Sequence, residues 1–220
     1  MNAKDYRKLN IVAALDIGTT KVSCIVGRKD EYGKIDVIGA SKVESEGVLR
    51  GVIANIDKTV KAISDAVDLA EKDAQCEIHE VYVGIAGQHI KSLQHRGILA
   101  RENYETEISQ DDIDKLVKDM YKLGLTPGDK ILHVIPQEFT VDAEQGIIDP
   151  IGMSGHRLEA NFHIITGQIA ATNNILRCVE RANLKVADMT LEPIASAEAV
   201  LSKEEKEAGV VLVDIGGGTT

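Results

Sequence analysis

The chain has no tryptophan, two phenylalanines and five tyrosines among 220 residues, an aromatic content of 3%. So few rings leave the core to aliphatic side chains and argue against a surface of stacked bases or an aromatic sugar platform. Positive charge is also scarce: 25 Lys and Arg stand against 35 Asp and Glu, a net charge of −10. That balance argues against a general nucleic-acid-binding surface. A single loop can still hold a polyphosphate, because surface fields fade over about 8 Å at physiological salt. Cysteine is limited to Cys24, Cys76 and Cys178, with no C-x-x-C pair. Such a scattered, odd set reads as reduced small hydrophobes of a cytosolic chain. The six histidines do not cluster. His79-Glu80 opens like H-E-x-x-H, but Val83 stands where the second histidine belongs, so metal binding through imidazole or thiolate is not expected. No run approaches the ~18–20 apolar residues of a membrane span. The stretch Met1–Asn10 lacks the apolar centre of a signal peptide.

What is present suffices for a real core, with 44% apolar and 27% charged residues. Domains typically hold about 100–150 residues, so the length fits one large domain or two small ones. Three strand-like stretches, Ile11–Gly18, Val22–Gly27 and Ile35–Val43, predict an antiparallel start to a mixed sheet. Ile56, Val60, Ile63, Val67 and Ala70 then recur at helical spacing, with Asn55 as N-cap and Asp57–Lys61 and Asp68–Lys72 as exposed pairs. Val81–Gly87 reads as a buried strand.

From Gln88 to about Thr166 the pattern changes. A strand at Ile90–Leu99 and an acidic turn precede a helix over Ser109–Leu123, with a Ser109/Asp112 capping box and Gly124 as stop. Strands at Ile131–Val141 and Leu158–Thr166 flank a loop, Gly146–Arg157. This is a small α+β module of its own, and its acidic Glu102–Asp114 stretch reads as plain solvent-facing surface. A helix over Gln168–Ala182, a strand over Lys185–Leu191, one helix from Pro193 to the charged Lys203–Glu207 end, and a last strand Val210–Ile215 complete an α/β pattern.

The informative feature is a repetition: AALDIGTT at Ala13–Thr20 and LVDIGGGTT at Leu212–Thr220. Its interval is far longer than a solenoid period and suits two related domains. In each copy an apolar strand presents Asp16 or Asp214 at its end, and one or two carboxylates are what Mg²⁺ needs while keeping its waters. Gly18 and Gly216, Gly217 and Gly218 let bare backbone N–H groups approach an anion. Thr19, Thr20, Thr219 and Thr220 add hydroxyls, and Lys21 adds a point charge. Two such loops facing each other would hold a Mg²⁺–triphosphate between them. Neither G-x-x-x-x-G-K-[ST] nor a helix-opening G-x-G-x-x-G occurs.

The paired loops resemble the phosphate-one and phosphate-two motifs of the actin, sugar-kinase and heat-shock-chaperone ATPase fold. Glu192–Ala197 (EPIASA) resembles that fold's first connecting helix. VGIAGQHI, HVIPQEFTVD, DPIGMSGHRLEANFHIITG, CVERANLKV and LEPIASAEAVL are similar to the FtsA family of bacterial cell-division proteins, over nearly the whole chain after Asn10. The resemblance implies an actin-like (ribonuclease-H-like) mixed sheet flanked by helices. Residues 1–87 and 167–205 would form the first lobe, 88–166 the inserted subdomain 1C, and 206–220 the first strand and loop of a second lobe. It implies ATP and Mg²⁺ as ligands, with Asp16 and Asp214 holding the metal through water, and Glu192 orienting a water near the γ-phosphate. It further implies a cytoplasmic protein on the inner face of the membrane at the division site, with weak or absent ATPase activity. Such a protein self-associates, links FtsZ and later division proteins to the membrane through a C-terminal segment, and uses 88–166 as a docking module. An N-terminal fragment is expected, with weak nucleotide affinity. The alternative is a small-molecule kinase or phosphohydrolase of the same superfamily.

Overall fold

A computed structural model describes residues 10–101 and 106–220; the acidic turn expected from Glu102 lies outside them. The chain divides into two compact units, Met1–His89 with Ala170–Thr220, and Ile90–Ile169.

The first unit is built on a five-stranded sheet. Its strands are β1 (Ile11–Ile17), β2 (Lys21–Lys29), β3 (Ile35–Glu44), β6 (Glu80–Ile85) and β11 (Lys185–Leu191), in the order β11-β6-β1-β2-β3. The opening three run antiparallel as expected, while β6 and β11 are parallel to β1. A short hairpin, β4 (Val48–Leu49) with β5 (Val52–Ile53), was not legible in the sequence. Alternation along each strand sends one set of side chains inward: Ala13, Leu15 and Ile17, then Val22, Cys24 and Val26, then Val81, Val83 and Ile85. Helix α1 (Ile56–Ala74) covers β2 and β3 with Ile63, Ala66, Val67 and Ala70, and Asn55 caps it by accepting from the Lys58 N–H at 3.0 Å. Asp57 does not reach for Lys61. It pairs at 2.7 Å with Arg181 of α3 (Ile169–Arg181), tying the two helices together. Cys24 and Cys178 are buried free thiols, and burial pushes Cys24 up to about 11, which suits an inert packing role.

The expected single helix after β11 is two. Helix α4 (Glu192–Val200) ends at Leu201, and Ser202 caps α5 (Lys203–Ala208) by accepting from the Glu205 N–H at 3.2 Å. A serine with a glutamate three residues on, Ser202 and Glu205, forms a capping box that starts a new helix and breaks the old one. Beyond Gly209, the expected strand at Val210–Ile215 does not form. These residues take no regular structure, and Val211 and Ile215 are 90% and 79% exposed.

The second unit is a four-stranded antiparallel sheet in the order β7 (Ile90–Ala100), β10 (Arg157–Gln168), β8 (Asp129–Val141), β9 (Glu144–Ile147). β9 runs two residues into the loop expected at Gly146–Arg157. It closes a hairpin in which Asp142 takes φ 53, a conformation aspartate tolerates. Helix α2 (Gln110–Met120) lays Leu116 and Met120 on Phe139, Leu158, Phe162 and Ile164. Its start carries the Ser109/Asp112 box, the Ser109 N–H donating to the Asp112 carboxylate at 3.1 Å, but it ends at Tyr121, before Gly124. On the sheet's other face, Glu159 is 2% exposed and clamped by Arg157 Nε at 2.6 Å and by Arg96. Among the described residues no helix is long and apolar enough to cross a membrane.

Candidate functional site

The sheet of the first unit has a second face, and the alternation that buries Leu15 and Ile17 puts Asp16 on it. Register then decides what lies beside that carboxylate. Asp16 is level with Gly84 of β6, and Gly84 with Thr190 of β11. Two residues after Thr190 the chain turns into α4, and Glu192 folds back over Gly84. A Cβ on Gly84 would lie 3.1 Å from Glu192 Cγ, so the absence of a side chain there is what lets Glu192 approach Asp16.

These residues line a cleft of about 380 Å³ together with Lys21, Ser23, Ile25, Tyr82, Ser196 and Asp214. Three carboxylates therefore converge. Burial, and then Asp16 and Asp214, push Glu192 up to about 7. Burial also raises Asp16, with Lys21 opposing and Asp214 adding to the rise. Asp214 accepts a hydrogen bond from Ser196 Oγ at 3.0 Å. An acidic cleft of this kind favours a cation. Among the described residues no three acidic, histidine or cysteine side chains are grouped to chelate a metal directly. One or two carboxylates acting through water are the mode open to Mg²⁺, so the residues fit that ion.

The repeated motif is repeated in geometry. The Gly18 N–H donates to the Lys21 carbonyl at 2.9 Å, and the Gly216 N–H donates to the Thr219 carbonyl at 2.9 Å. In both turns a side chain at the first glycine would crowd that carbonyl, at 3.0 Å and 3.1 Å. The two loops face each other at contact distance. A Cβ on Gly217 would lie 2.3 Å from Thr20 Cγ2, and one on Gly218 would lie 2.7 Å from Thr19 Oγ1, so the turns touch. The open volume lies instead on the side of Asp16, Lys21 and Glu192. Thr19 Oγ1 already accepts from the Gly51 N–H at 3.3 Å, while Thr220 is exposed at the edge of the loop pair.

Thus Asp16, Lys21, Glu192 and Asp214 come together, and Gly18, Thr19, Thr20, Gly216, Gly217, Gly218 and Thr219 form the paired turns beside them. Sequence reasoning missed Gly84, Ser196 and Gly51. The one available signal was Ser196, one helical turn beyond Glu192 on the same face.

Comparison with known proteins agrees with this architecture. Residues 87–166 match the family described as the SHS2 domain inserted in FtsA. The chain is 42% identical over 210 residues to cell division protein FtsA of Pseudomonas aeruginosa, covering 96% of this chain and 50% of that protein. It is 37% identical over 209 residues to cell division protein FtsA of Escherichia coli K12, covering 95% and 49%. The chain thus spans about half the length of the curated relatives it matches. Among solved structures, the PilM–PilN type IV pilus biogenesis complex superposes with a TM-score of 0.59 at 9% identity, over 85% of this chain and 49% of that one. The fold is the actin-like α/β class, a mixed sheet flanked by helices with a small α+β insertion. By its sequence identity to these proteins and its matching insertion, the chain belongs to the FtsA family of cell division proteins.

Proposed function

We propose that the first unit supplies the phosphate and metal side of a Mg²⁺–ATP site in a cell-division protein. The observation that carries this reading is the convergence of Asp16, Glu192 and Asp214 in one cleft beside two turns of the same hydrogen-bond geometry. Magnesium, when bound, supplies positive charge that offsets the three carboxylates and draws phosphate oxygens toward them. Asp16 and Asp214 would hold it, through water in keeping with a site of few carboxylates. Lys21 sits on the same wall as a second positive charge, and the backbone N–H groups of the glycine turns are short of side chains that would keep an anion away. Seating phosphates between the turns requires the Gly217–Thr20 contact to part.

Glu192 is set up for water rather than for metal. With its carboxyl titrating at about 7, it exchanges a proton near neutral pH and can orient or deprotonate a water lying over Gly84. This arrangement supports binding with slow hydrolysis as the reading. The surrounding reading follows the family: the protein works at the cytoplasmic face of the membrane at the septum, self-associates, and connects FtsZ and later division proteins. Residues 88–166 act as the docking module, which suits a separately packed unit with its own core.

The test is calorimetry of ATP with and without Mg²⁺ on the protein and on Asp16→Ala. Loss of the Mg²⁺-dependent part of the affinity is expected, and an unchanged affinity overturns the reading.

A further inference from the structure

The hairpin β4–β5 stands beside the first D-I-G turn and is held at both ends. At its base the Ala54 and Asn55 N–H groups both donate to the Gly47 carbonyl, at 2.8 Å and 3.0 Å, which joins it to the start of α1. At its tip Leu49 pairs with Val52, so Arg50 and Gly51 alone make the connection. The tip lies flat on the residues that follow β6: a Cβ on Gly51 would lie 2.6 Å from the Ala86 carbonyl oxygen and 2.7 Å from Gly87 Cα. The Gly51 N–H donates to Thr19 Oγ1 at 3.3 Å, and Arg50 Cα lies 3.1 Å from where a Cβ on Gly218 would be. The tip thus meets both D-I-G turns, with one residue against each.

Both tip residues have positive φ, 52 for Arg50 and 73 for Gly51, which in a two-residue connection is the mark of a type I′ turn. Such a turn favours asparagine, aspartate or glycine at its first position, because a bulkier side chain is strained there. The sequence places an arginine at that position, so the fold gives up stability to hold a guanidinium at this point. The neighbouring site gives the guanidinium a use. Asp16, Glu192 and Asp214 converge in a cleft whose lining, among the described residues, holds one cation, Lys21. A magnesium-bound triphosphate still carries net negative charge, so seating it beside three carboxylates calls for a further positive group on the phosphate side. Arginine suits that task, since its planar fork of donors matches two phosphate oxygens at once.

We propose that Arg50 is a phosphate-binding residue of this site: the strained hairpin tip holds its guanidinium against the two D-I-G turns, where it takes the outermost phosphate oxygens of the nucleotide. The proposal deepens the Mg²⁺–ATP reading of the cleft and rests on it. Lys21 approaches the phosphates from the cleft wall and Arg50 from the hairpin. The strain of the tip and the affinity of the site are thereby opposed. A residue better suited to the turn should bind phosphate less well.

The experiment measures binding of ATP and of inorganic triphosphate by calorimetry, in excess Mg²⁺ and in excess EDTA, together with melting temperatures. The proteins are the unaltered chain, Arg50→Asn, Arg50→Gly, Arg50→Lys and Asp16→Asn. Triphosphate reads the phosphate contacts without the adenosine. Arg50→Asn and Arg50→Gly should each lower the affinity for both ligands in Mg²⁺ about tenfold, the size of one lost hydrogen bond between charged groups. The melting temperature should hold, or rise by about 1–3 °C as the tip relaxes. Arg50→Lys keeps the charge and should recover most of the loss. Unchanged affinity in both neutral variants, with Asp16→Asn impaired, overturns the role of Arg50 and leaves the reading of the cleft standing. Unequal losses in the two neutral variants, no recovery with lysine, or a lowered melting temperature in both overturns it as well, because each traces the effect to the turn and not to the charge. If Asp16→Asn leaves the Mg²⁺ effect intact, the reading of the cleft falls first and the proposal falls with it.

Discussion

The two D-I-G turns of this chain are near copies in sequence and in hydrogen bonding, yet they stand in opposite surroundings. The residue before Asp16 is Leu15, 1% exposed at the centre of a five-stranded sheet; the residue before Asp214 is Val213, 61% exposed in a segment that pairs with none of the described strands. Both turns nevertheless close with the same glycine N–H to carbonyl bond. The turn is thus a local property of a glycine followed by three residues, while the strand leading into it is a property of what lies on either side. What makes the first copy a rigid wall of the cleft is the sheet; the described residues in contact with the second copy are Ser196 and the Thr19–Thr20 turn.

The sharpest way to break this comparison is to truncate the matched apolar residues. Leu15→Ala should destabilise the fold by about 3 kcal/mol, because it removes a fully buried side chain. Val213→Ala should cost less than about 0.5 kcal/mol, as at other exposed positions. Urea unfolding of the two variants gives both numbers, and equal losses would mean that the second segment packs as the first does.

Gly84→Ala comes next. The new methyl must displace Glu192 Cγ, which lies 3.1 Å from its position, and that displacement moves the carboxyl that crowds Asp16. A cost of about 1–2 kcal/mol is expected, together with a fall in the Glu192 titration midpoint, read by carboxyl NMR. An unmoved midpoint would show that Glu192 does not depend on that gap.

The acidic cluster also makes stability depend on pH in a definite direction. Glu192 is raised in the folded protein to about 7, so the folded state holds its proton more tightly than the unfolded chain does. The contribution is full below the ordinary glutamate range and is lost as pH rises through about 7. Glu192→Gln should therefore gain stability relative to the unaltered protein between about pH 5 and pH 8, with the gap widening toward the alkaline end. A gap that narrows instead would place the carboxyl in a different environment. Added Mg²⁺ should shrink the gap by offsetting the neighbouring charges.

The smallest effect concerns the contact between the turns. Gly217→Ala sets a methyl against Thr20 and should push the turns apart at little global cost, within about 0.5 kcal/mol. Amide shifts at Gly18 and Thr20 should move while the melting temperature holds. Shifts confined to residues next to Gly217 would show that the turns are not in contact in solution.

Much of this was legible beforehand where the signal is local. The Asn55 cap, the stripe from Ile63 to Ala70, the Ser109/Asp112 box and the strand Lys185–Leu191 each follow from one segment's own pattern, and each is where the pattern put it. The misses share a cause. Val210–Ile215 has the composition of a buried strand but pairs with none of the described strands, and the helix after Pro193 is interrupted by a cap that competes at Ser202. Asp57 passes over its neighbour Lys61 for Arg181, which only the packing of two helices brings near.

The sequence by itself determined the two carboxylate-bearing turns, the family and the alternation that buries Leu15 while turning Asp16 the other way, because these depend on residue type and on a period of two. Only the tertiary structure decided that Asp16, Gly84 and Thr190 share one line across the sheet, that Glu192 rests in the space Gly84 leaves, and that Ser196 reaches Asp214. Parallel register and the angle at which a helix leaves a strand are set by long-range pairing and packing, and no spacing along the chain encodes them.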